Sequence, residues 1–561
     1  MFGRRRLLWA SGAGLVLSAS ARAATSRQER ALSSIAGPPS AVTVFGENGS
    51  VPLQKNGTRW QAEGLEVSTA AEAGGMAVTL MPNGQAVLRV HLRWQMTVPV
   101  GLRYLGDAWE RSYGDLEWRG MEPERVMPWY FLAFDGSSTF AGGVRTGSAA
   151  FCFWQVDPAG VSLWLDARNG GKGLRLQKRE LRMATVLGLH YPETKPFAAA
   201  RQFCRRMCGA PRLPKAPVYG GNNWYYAYGN SSAADIRDDS RRIASFAGAN
   251  DNRPFMVIDD GWQPNPTAGP WRRGNAKFPD MAKLAGEMRG IGVQPGLWMR
   301  PLFTKEEIPE GWRLRSPNAA REYATRRGYV IDPTVPEASE QIQADMRRAV
   351  GWGYGLVKHD FSTYDLLGRW GKDMGAAITD ADWSFADKTR TNAEIVREFY
   401  RMLREAAGSA LIEGCNTVGH LAAGLFELQR SGDDTSGRDW NRTRKMGVNT
   451  LAFRAPQHGT FFAIDADCVG LTKQIPWRMN EQWLTLLAGS GTPLFVSAAP
   501  YALGPAQKSA IQQAFTEASQ AMPQGEALDW LDTPEPETWM LGGKKTKFDW
   551  FGAEGASPFP V

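Results

Sequence analysis

Between residues 218 and 500 the chain repeats one unit, a short apolar run followed by a stretch of helical periodicity. The runs fall at 218–223, 254–258, 294–298, 356–359, 410–413, 426–430, 461–464 and 493–497. Amphipathic segments lie between several of them: Ala233–Ala247, Met281–Gly290, Glu337–Gly351, Asn392–Ala407 and Asn480–Ala488. Strands and helices that alternate in this way build a parallel sheet, because each crossover helix must cover a sheet face. Eight strand positions over about 280 residues predict a (β/α)8 TIM barrel spanning 216–505. A doubly wound open sheet is the alternative, but no G-x-G-x-x-G turn follows the first strand.

The rest of the chain reads differently. Residues 24–215 carry short alternating runs such as Ala77–Leu80, Ala86–Val90 and Val161–Leu165, separated by Gly, Asn and Pro turns. They predict an N-terminal antiparallel β-sandwich that ends, after a helix near Phe197–Met207, in the proline-rich Pro211–Pro217 linker. Residues 506–561 predict a small C-terminal extension with one helix and a few short strands. In residues 1–23, Arg4, Arg5 and Arg6 precede the apolar run Leu7–Leu17, and Ala21-Arg22-Ala23 forms a cleavage signal. The Arg-Arg-x-Leu-Leu order is that of a twin-arginine leader, so a periplasmic or secreted location is expected. The apolar run is too short for a permanent membrane anchor, and no later segment is long and apolar enough to serve.

Composition excludes several partners. The net charge is +8, and the four arginines of residues 1–23 supply half of it. Acids and bases are interspersed in the remainder, so no nucleic-acid stripe is present. The 5 cysteines form no disulfide framework, and the 5 histidines lack metal-ligand spacing. No metal or cofactor is expected. The 22 tryptophans are unusual, and aromatic faces with polar rims suit sugar rings.

The chemistry lies where the predicted strands stop, the end of a barrel at which reacting groups collect. Strand one ends in Asn222-Asn223-Trp224 and strand two opens into Asp259-Asp260-Gly261-Trp262. Strand three ends in Gly296-Leu297-Trp298, and strand four in Lys358-His359-Asp360. Strand five ends in Glu413-Gly414-Cys415-Asn416, strand six in Arg430 through Thr435, and strand seven in Asp465-Ala466-Asp467. A positive charge two positions before Asp360 favours the ionised carboxylate that a nucleophile needs. A phosphate site would show Gly-rich basic loops instead, whereas paired carboxylates among indoles and hydroxyl-binding groups fit glycoside hydrolysis.

Four motifs, in this order and at these strand ends, resemble the α-galactosidase clan, glycoside hydrolase families 27 and 36, and family 36 more closely. They are Ile258-Asp259-Asp260-Gly261-Trp262, Gly296-Leu297-Trp298, Lys358-x-Asp360-Phe361 and Arg430-x-x-x-Asp434-Thr435. The resemblance covers Val218 to about Pro500. It implies a retaining α-galactosidase acting on terminal α-galactosides of oligosaccharides or polysaccharide side chains. By the same resemblance Asp360 is the nucleophile and Asp434 the acid/base, two carboxyls about 5–5.5 Å apart. Asp259 and Asp260 match the pair that binds sugar hydroxyls, Lys358 a hydroxyl-binding lysine, and Trp298 a wall of the pocket. Arg326 matches the arginine before the family's Tyr-Val-Leu-Asp segment, Cys415 the cysteine after strand five, and Arg430 the start of the Arg-x-x-x-Asp pattern. Asp433 is the competing acid/base, and the spacing from Arg430 favours Asp434.

Three departures bear on the sugar. Phe361-Ser362 follows Asp360 where family 36 has a hydrophobic residue and Asn, Asn416-Thr417-Val418 replaces a Gly-rich turn, and Arg300 replaces a Glu. They leave open another glycone, such as a β-L-arabinopyranoside or α-N-acetylgalactosaminide, and galactosyl transfer. The reading from a different class is a non-catalytic carbohydrate-binding protein, which would lack one of the two catalytic carboxylates.

Overall fold

The computed structural model describes residues 32–82, 84–552 and 555, so the leader at 1–23 lies outside the described residues. Residues 41–191 form a 13-stranded antiparallel sheet. Its strands alternate between buried and accessible positions, as in Ala41–Gly46 and Val87–Gln95, so one face of the sheet is packed and the other wet. The sheet curls on itself because Met127–Pro128 pairs at one end and Tyr130–Phe134 near the other. Trp129 turns the chain between these two strands in a left-handed conformation, φ 65°. The fully buried indoles of Trp129 and Trp154 fill the fold, and the Trp154 N–H donates to the Trp129 carbonyl at 3.1 Å.

Residues 219–498 form the parallel sheet. Its strands are Tyr219–Asn222, Phe255–Ile258, Gln294–Met299, Leu356–His359, Leu411–Gly414, Leu428–Arg430, Ala463–Asp465 with Cys468–Leu471, and Leu494–Ala498. Most residues in these strands are buried, as expected of strands covered on both faces. The seventh position explains closure. Ala463–Asp465 pairs with the sixth strand, Cys468–Leu471 pairs with the eighth, and only Ala466 and Asp467 separate the two pieces. Asp467 makes that break at φ 74°. The eighth strand pairs in turn with the first, so eight positions form a closed barrel. On its other side the first strand packs tightly against the second: a Cβ on Gly220 would meet the Phe255 carbonyl oxygen at 1.9 Å.

Helices cover the barrel where the periodicity places them. Ala233–Ala247 and Asn392–Ala407 match the expected bounds, and Met281–Ile291, Pro336–Gly351 and Trp477–Gly489 extend theirs by one to three residues at an end. Asn392–Ala407 begins with a capping box, in which Thr391 accepts from the Glu394 N–H and Glu394 from the Thr391 N–H. A helix at Pro505–Ala518 and a three-stranded sheet, Glu526–Ala527, Thr538–Leu541 and Lys544–Lys547, complete the chain. No described helix is long and apolar enough to cross a membrane.

Candidate active site

The carboxylates gather at the C-terminal rim of the barrel. After the fourth strand Asp360 donates its N–H to the Met299 carbonyl, and Phe361 takes a left-handed conformation, φ 64°, before the helix Ser362–Leu367. This turn aims the Asp360 carboxylate at three donors. Oδ1 accepts from the Phe361 N–H at 2.7 Å and the Asn416 N–H at 3.1 Å, and Oδ2 accepts from the Trp298 indole at 3.0 Å. Oδ2 therefore keeps a lone pair in the carboxylate plane, whereas both on Oδ1 are used.

Lys358 does not face Asp360. Its ammonium crosses to strand two and pairs with Asp259 Oδ2 at 2.9 Å, beside the Asn222 amide at 2.7 Å. Burial works against the Lys358 charge, but the surrounding groups, Asp259 foremost among them with Cys415 and Glu413, together outweigh it and raise the ammonium's pKa well above the ordinary lysine value. Positive charge thus reaches the strand-two acid, and neutral N–H groups hold Asp360. Asp260 points into its own loop, where Gln263 Nε2, the Thr267 N–H and the Thr267 hydroxyl all donate to it. Burial raises its pKa against those bonds.

Arg430 is the centre of the opposite wall. Its fully buried guanidinium lies 2.8 Å from Asp467, 3.5 Å from Asp434 and 3.7 Å from Asp465. Asp467 Oδ2 also accepts from the Tyr225 hydroxyl and from the Thr435 N–H and hydroxyl. Glu413 and Asp465 share a hydrogen bond, and burial together with this neighbour pushes the Glu413 carboxyl well above the usual range. Cys415 lies beside Arg430 and Arg111, the two arginines that also reach Asp434. Its thiol accepts from Arg430 and Arg111 at 3.5 Å each, and burial, reinforced by Asp360, keeps it protonated.

Asp433 and Asp434 separate clearly. Asp433 is clamped between Arg111 at 2.7 Å and Arg442 at 2.8 Å. Asp434 has a 39 % exposed side chain and only long contacts, 3.5 Å to Arg430 and 3.6 Å to Arg111. Burial pushes its pKa up, but the cations Arg430, Arg111, Lys358 and Arg442 outweigh this and leave it lowered. Among the described residues, Arg326 pairs with neither carboxylate. It ends the helix Pro317–Arg326 with a 48 % exposed side chain and pairs with Glu322 at 3.5 Å. The buried cation on that side is Arg300, which is held by Asp365 and Glu322 and stacked by Phe303 and Phe361 at 4.1 and 4.4 Å. It supports the Phe361 turn from behind.

The resemblance to family 36 allows for a β-domain residue, an aromatic, at the pocket, but the sequence does not identify which residue the β-domain brings to the rim. A loop of that domain carries Glu110 and Arg111 into the rim, where Ser112 bridges to the sixth-strand end: Ser112 N–H to Ser431 O and Asp433 N–H to Ser112 O, both 2.9 Å. Glu110 accepts from the Asn416 side chain, the Tyr113 hydroxyl and the Gly371 N–H. No motif or periodicity marks this loop, since its partners lie some 300 residues away. Trp370, stacked on Tyr364 at 4.6 Å and edge-on to Phe361 at 5.5 Å, adds an aromatic wall. Trp262 is core, fully buried with its N–H on the Trp298 carbonyl. Among the described residues no cluster of His, Cys, Asp and Glu is arranged to hold a metal ion.

No protein-family model matches the sequence, and no curated protein matches it. The fold is similar to solved structures. An α-galactosidase from Thermus thermophilus in complex with p-nitrophenyl α-D-galactopyranoside aligns with a TM-score of 0.56 at 17% identity, over 91% of this chain and 99% of that one. A variant of a glycoside hydrolase family 36 α-galactosidase from Geobacillus stearothermophilus, in complex with 1-deoxygalactonojirimycin, gives 0.61 at 13% identity, over 89% of this chain and 79% of that one. The α-galactosidase from Lactobacillus brevis gives 0.54 at 12% identity, over 85% and 72%. These likenesses show that the chain shares its β-domain-plus-barrel fold with α-galactosidases.

Proposed function

We propose that the protein is an exported retaining α-glycosidase that hydrolyses terminal α-galactosides. The observation that carries this reading is the pair at the rim. Asp360 is held by N–H donors with one Oδ2 lone pair left, and Asp434 stands 3.5 Å from the buried Arg430 with its side chain open. Oδ2 attacks the anomeric carbon as Asp434 protonates the departing glycosidic oxygen, giving a glycosyl ester on Asp360. Asp434, now a carboxylate, takes a proton from water, the resulting hydroxide adds to the anomeric carbon, and the ester C–O electrons return to Asp360. The Asp259–Lys358 pair offers charged hydrogen-bonding groups to ring hydroxyls, and an epimer that leaves them unpaired is rejected. The galactoside assignment draws further support from the fold neighbours, whose structures include complexes with stachyose and raffinose. The arginine-led segment at 4–17 supports export.

Proton NMR of the purified protein with an aryl α-D-galactopyranoside tests this directly. α-Galactose is expected as the first anomer formed, with Asp360→Ala abolishing release. First appearance of the β anomer would refute retention, and full turnover by Asp360→Ala would refute the nucleophile.

A further inference from the structure

The β-domain loop does more than close the rim. Arg111 is buried, 6 % exposed, yet it comes from a β-domain loop while Asp433 and Asp434 follow the sixth barrel strand. One guanidinium nitrogen lies 2.7 Å from Asp433, and the other lies 3.6 Å from Asp434 and 3.5 Å from the Cys415 thiol. Its Nε, also buried, has no hydrogen-bond partner. The plane lies over Trp370 at 5.5 Å and Tyr113 at 5.9 Å. A guanidinium held in two places and stacked on two rings cannot swing to follow Asp434, so the carboxylate must come to it.

The loop that delivers Arg111 is anchored on both sides. Ser112 is bridged to Gly432, and Glu110 is seated so closely against Gly371 that a Cβ there would meet Glu110 Cγ at 2.5 Å. Glu110 also holds the Asn416 side chain, and the Asn416 N–H orients Asp360. The two residues therefore reach the two candidate carboxylates from one short stretch of backbone.

We infer that Arg111 is a positioning residue for the acid–base step, contributed by the β-domain: with one guanidinium nitrogen fixed on Asp433, it presents the other to Asp434 at 3.6 Å and orients that carboxyl. This rests on the reading of Asp434 as acid/base. The charged and titratable groups around Asp434 are Arg430 from the sixth strand, Lys358 from the fourth, Arg442 from the helix that follows, Tyr225 from the helix Trp224–Ala227, the adjacent Asp433, Asp467 and Cys415, which share its arginines, and Arg111. All of the cations except Arg111 come from the barrel itself. Removing a cation at this distance raises a carboxylate's pKa, by about one unit given partial solvent screening. A barrel without the loop would then bind sugar but protonate and deprotonate over the wrong range.

The test is a 13C titration of the Asp434 carboxyl, assigned by its disappearance in Asp434→Asn, in wild type, Arg111→Met and Arg111→Lys. The expected midpoint rises by about one pH unit in Arg111→Met and stays near wild type in Arg111→Lys, which keeps the charge. The alkaline limb of kcat/KM should move up with it, with poor leaving groups affected most, while Arg442 keeps Asp433 paired. An unmoved midpoint in a folded Arg111→Met protein overturns the inference. The titration needs no turnover, so it reads Arg111 even where the glycosidase reading fails, and that failure shows separately as no sugar release by the wild type. If Arg111→Met does not fold, Arg111→Gln gives the same reading with the hydrogen bonds partly kept.

Discussion

Trp298→Phe isolates one hydrogen bond at the centre of the proposed chemistry. The indole N–H is the donor to Asp360 Oδ2, at 3.0 Å, and phenylalanine keeps an aromatic ring in the slot beside Trp271 and Phe361. A hydrogen bond to a charged acceptor contributes about 1.5–3 kcal/mol. While the ester exists Oδ2 has lost its charge, and as the ester breaks the charge returns. The N–H therefore favours departure of the carboxylate in the second step more than attack in the first. If half the charge is back at that transition state, the loss is about 0.7–1.5 kcal/mol, a slowing of deglycosylation by roughly 3- to 10-fold. The signature is kinetic. With a dinitrophenyl α-galactoside, whose leaving group makes the first step fast, kcat should fall and KM fall further, kcat/KM should hold or rise a few-fold, and a burst of phenolate should appear. Trp298 is 2 % exposed, so the smaller ring also destabilises the fold, and a thermal scan must show the variant folded at the assay temperature. A fall in kcat/KM by orders of magnitude without a burst would show that the indole acts in attack or in sugar binding, and the reasoning would be wrong.

Asp434→Ala should slow hydrolysis of unactivated galactosides by 10²- to 10⁴-fold, as estimated for loss of a general acid/base, while good leaving groups still form the glycosyl-enzyme and azide restores turnover. Asp433→Asn should instead lower stability, by roughly 2 kcal/mol because the site is partly solvated, and spare azide-independent turnover; a thermal shift and one rate measurement separate the two acids. Glu413 holds a proton in the fold that it loses on unfolding, since its pKa is raised from the ordinary 4.5. The native state then binds more protons than the unfolded one, so its contribution is complete below 4.5 and fades as pH rises towards the folded pKa. Glu413→Gln should flatten the fall of the thermal midpoint with pH above that point, and an unchanged slope would place the proton elsewhere.

The barrel was legible because its strands are buried on both faces and read as uninterrupted apolar runs. The strand-end acids were legible because they fall directly after those runs. Side-chain partners were not. Lys358 lies two residues from Asp360, and in a strand that spacing means a shared face, yet its ammonium pairs with Asp259, 99 residues away, because the neighbouring strand ends bring that acid closer. Asp260 follows Asp259 in the same motif but turns outward into the 260–267 loop, which no periodicity describes. Arg326 ends the helix Pro317–Arg326 half-exposed beside Glu322, the same acid that holds the buried Arg300, a pairing no motif signals. Arg111 had no signal at all, since a loop residue acting across domains is defined only by tertiary contact.

The two carboxylates are held by different kinds of positive potential, and this separates their roles. Asp360 meets three N–H dipoles, which orient a carboxylate without binding it as an ion pair. Asp434 faces whole charges from Arg430, Arg111, Lys358 and Arg442, which favour its ionised form. For a general base this is the resting state required, and the second step can proceed at once. For a general acid it is the minority state at neutral pH, so the first step is limited by how often Asp434 is protonated. The 39 % exposure of its side chain tempers this pull, because water screens the cations until a sugar displaces it. Activity should therefore be greatest on the acid side of neutrality. With an unactivated galactoside the first step should limit turnover, and with an activated one the second. A profile highest above neutrality would mean that a different group donates the proton, and Asp434 would keep only the role of base.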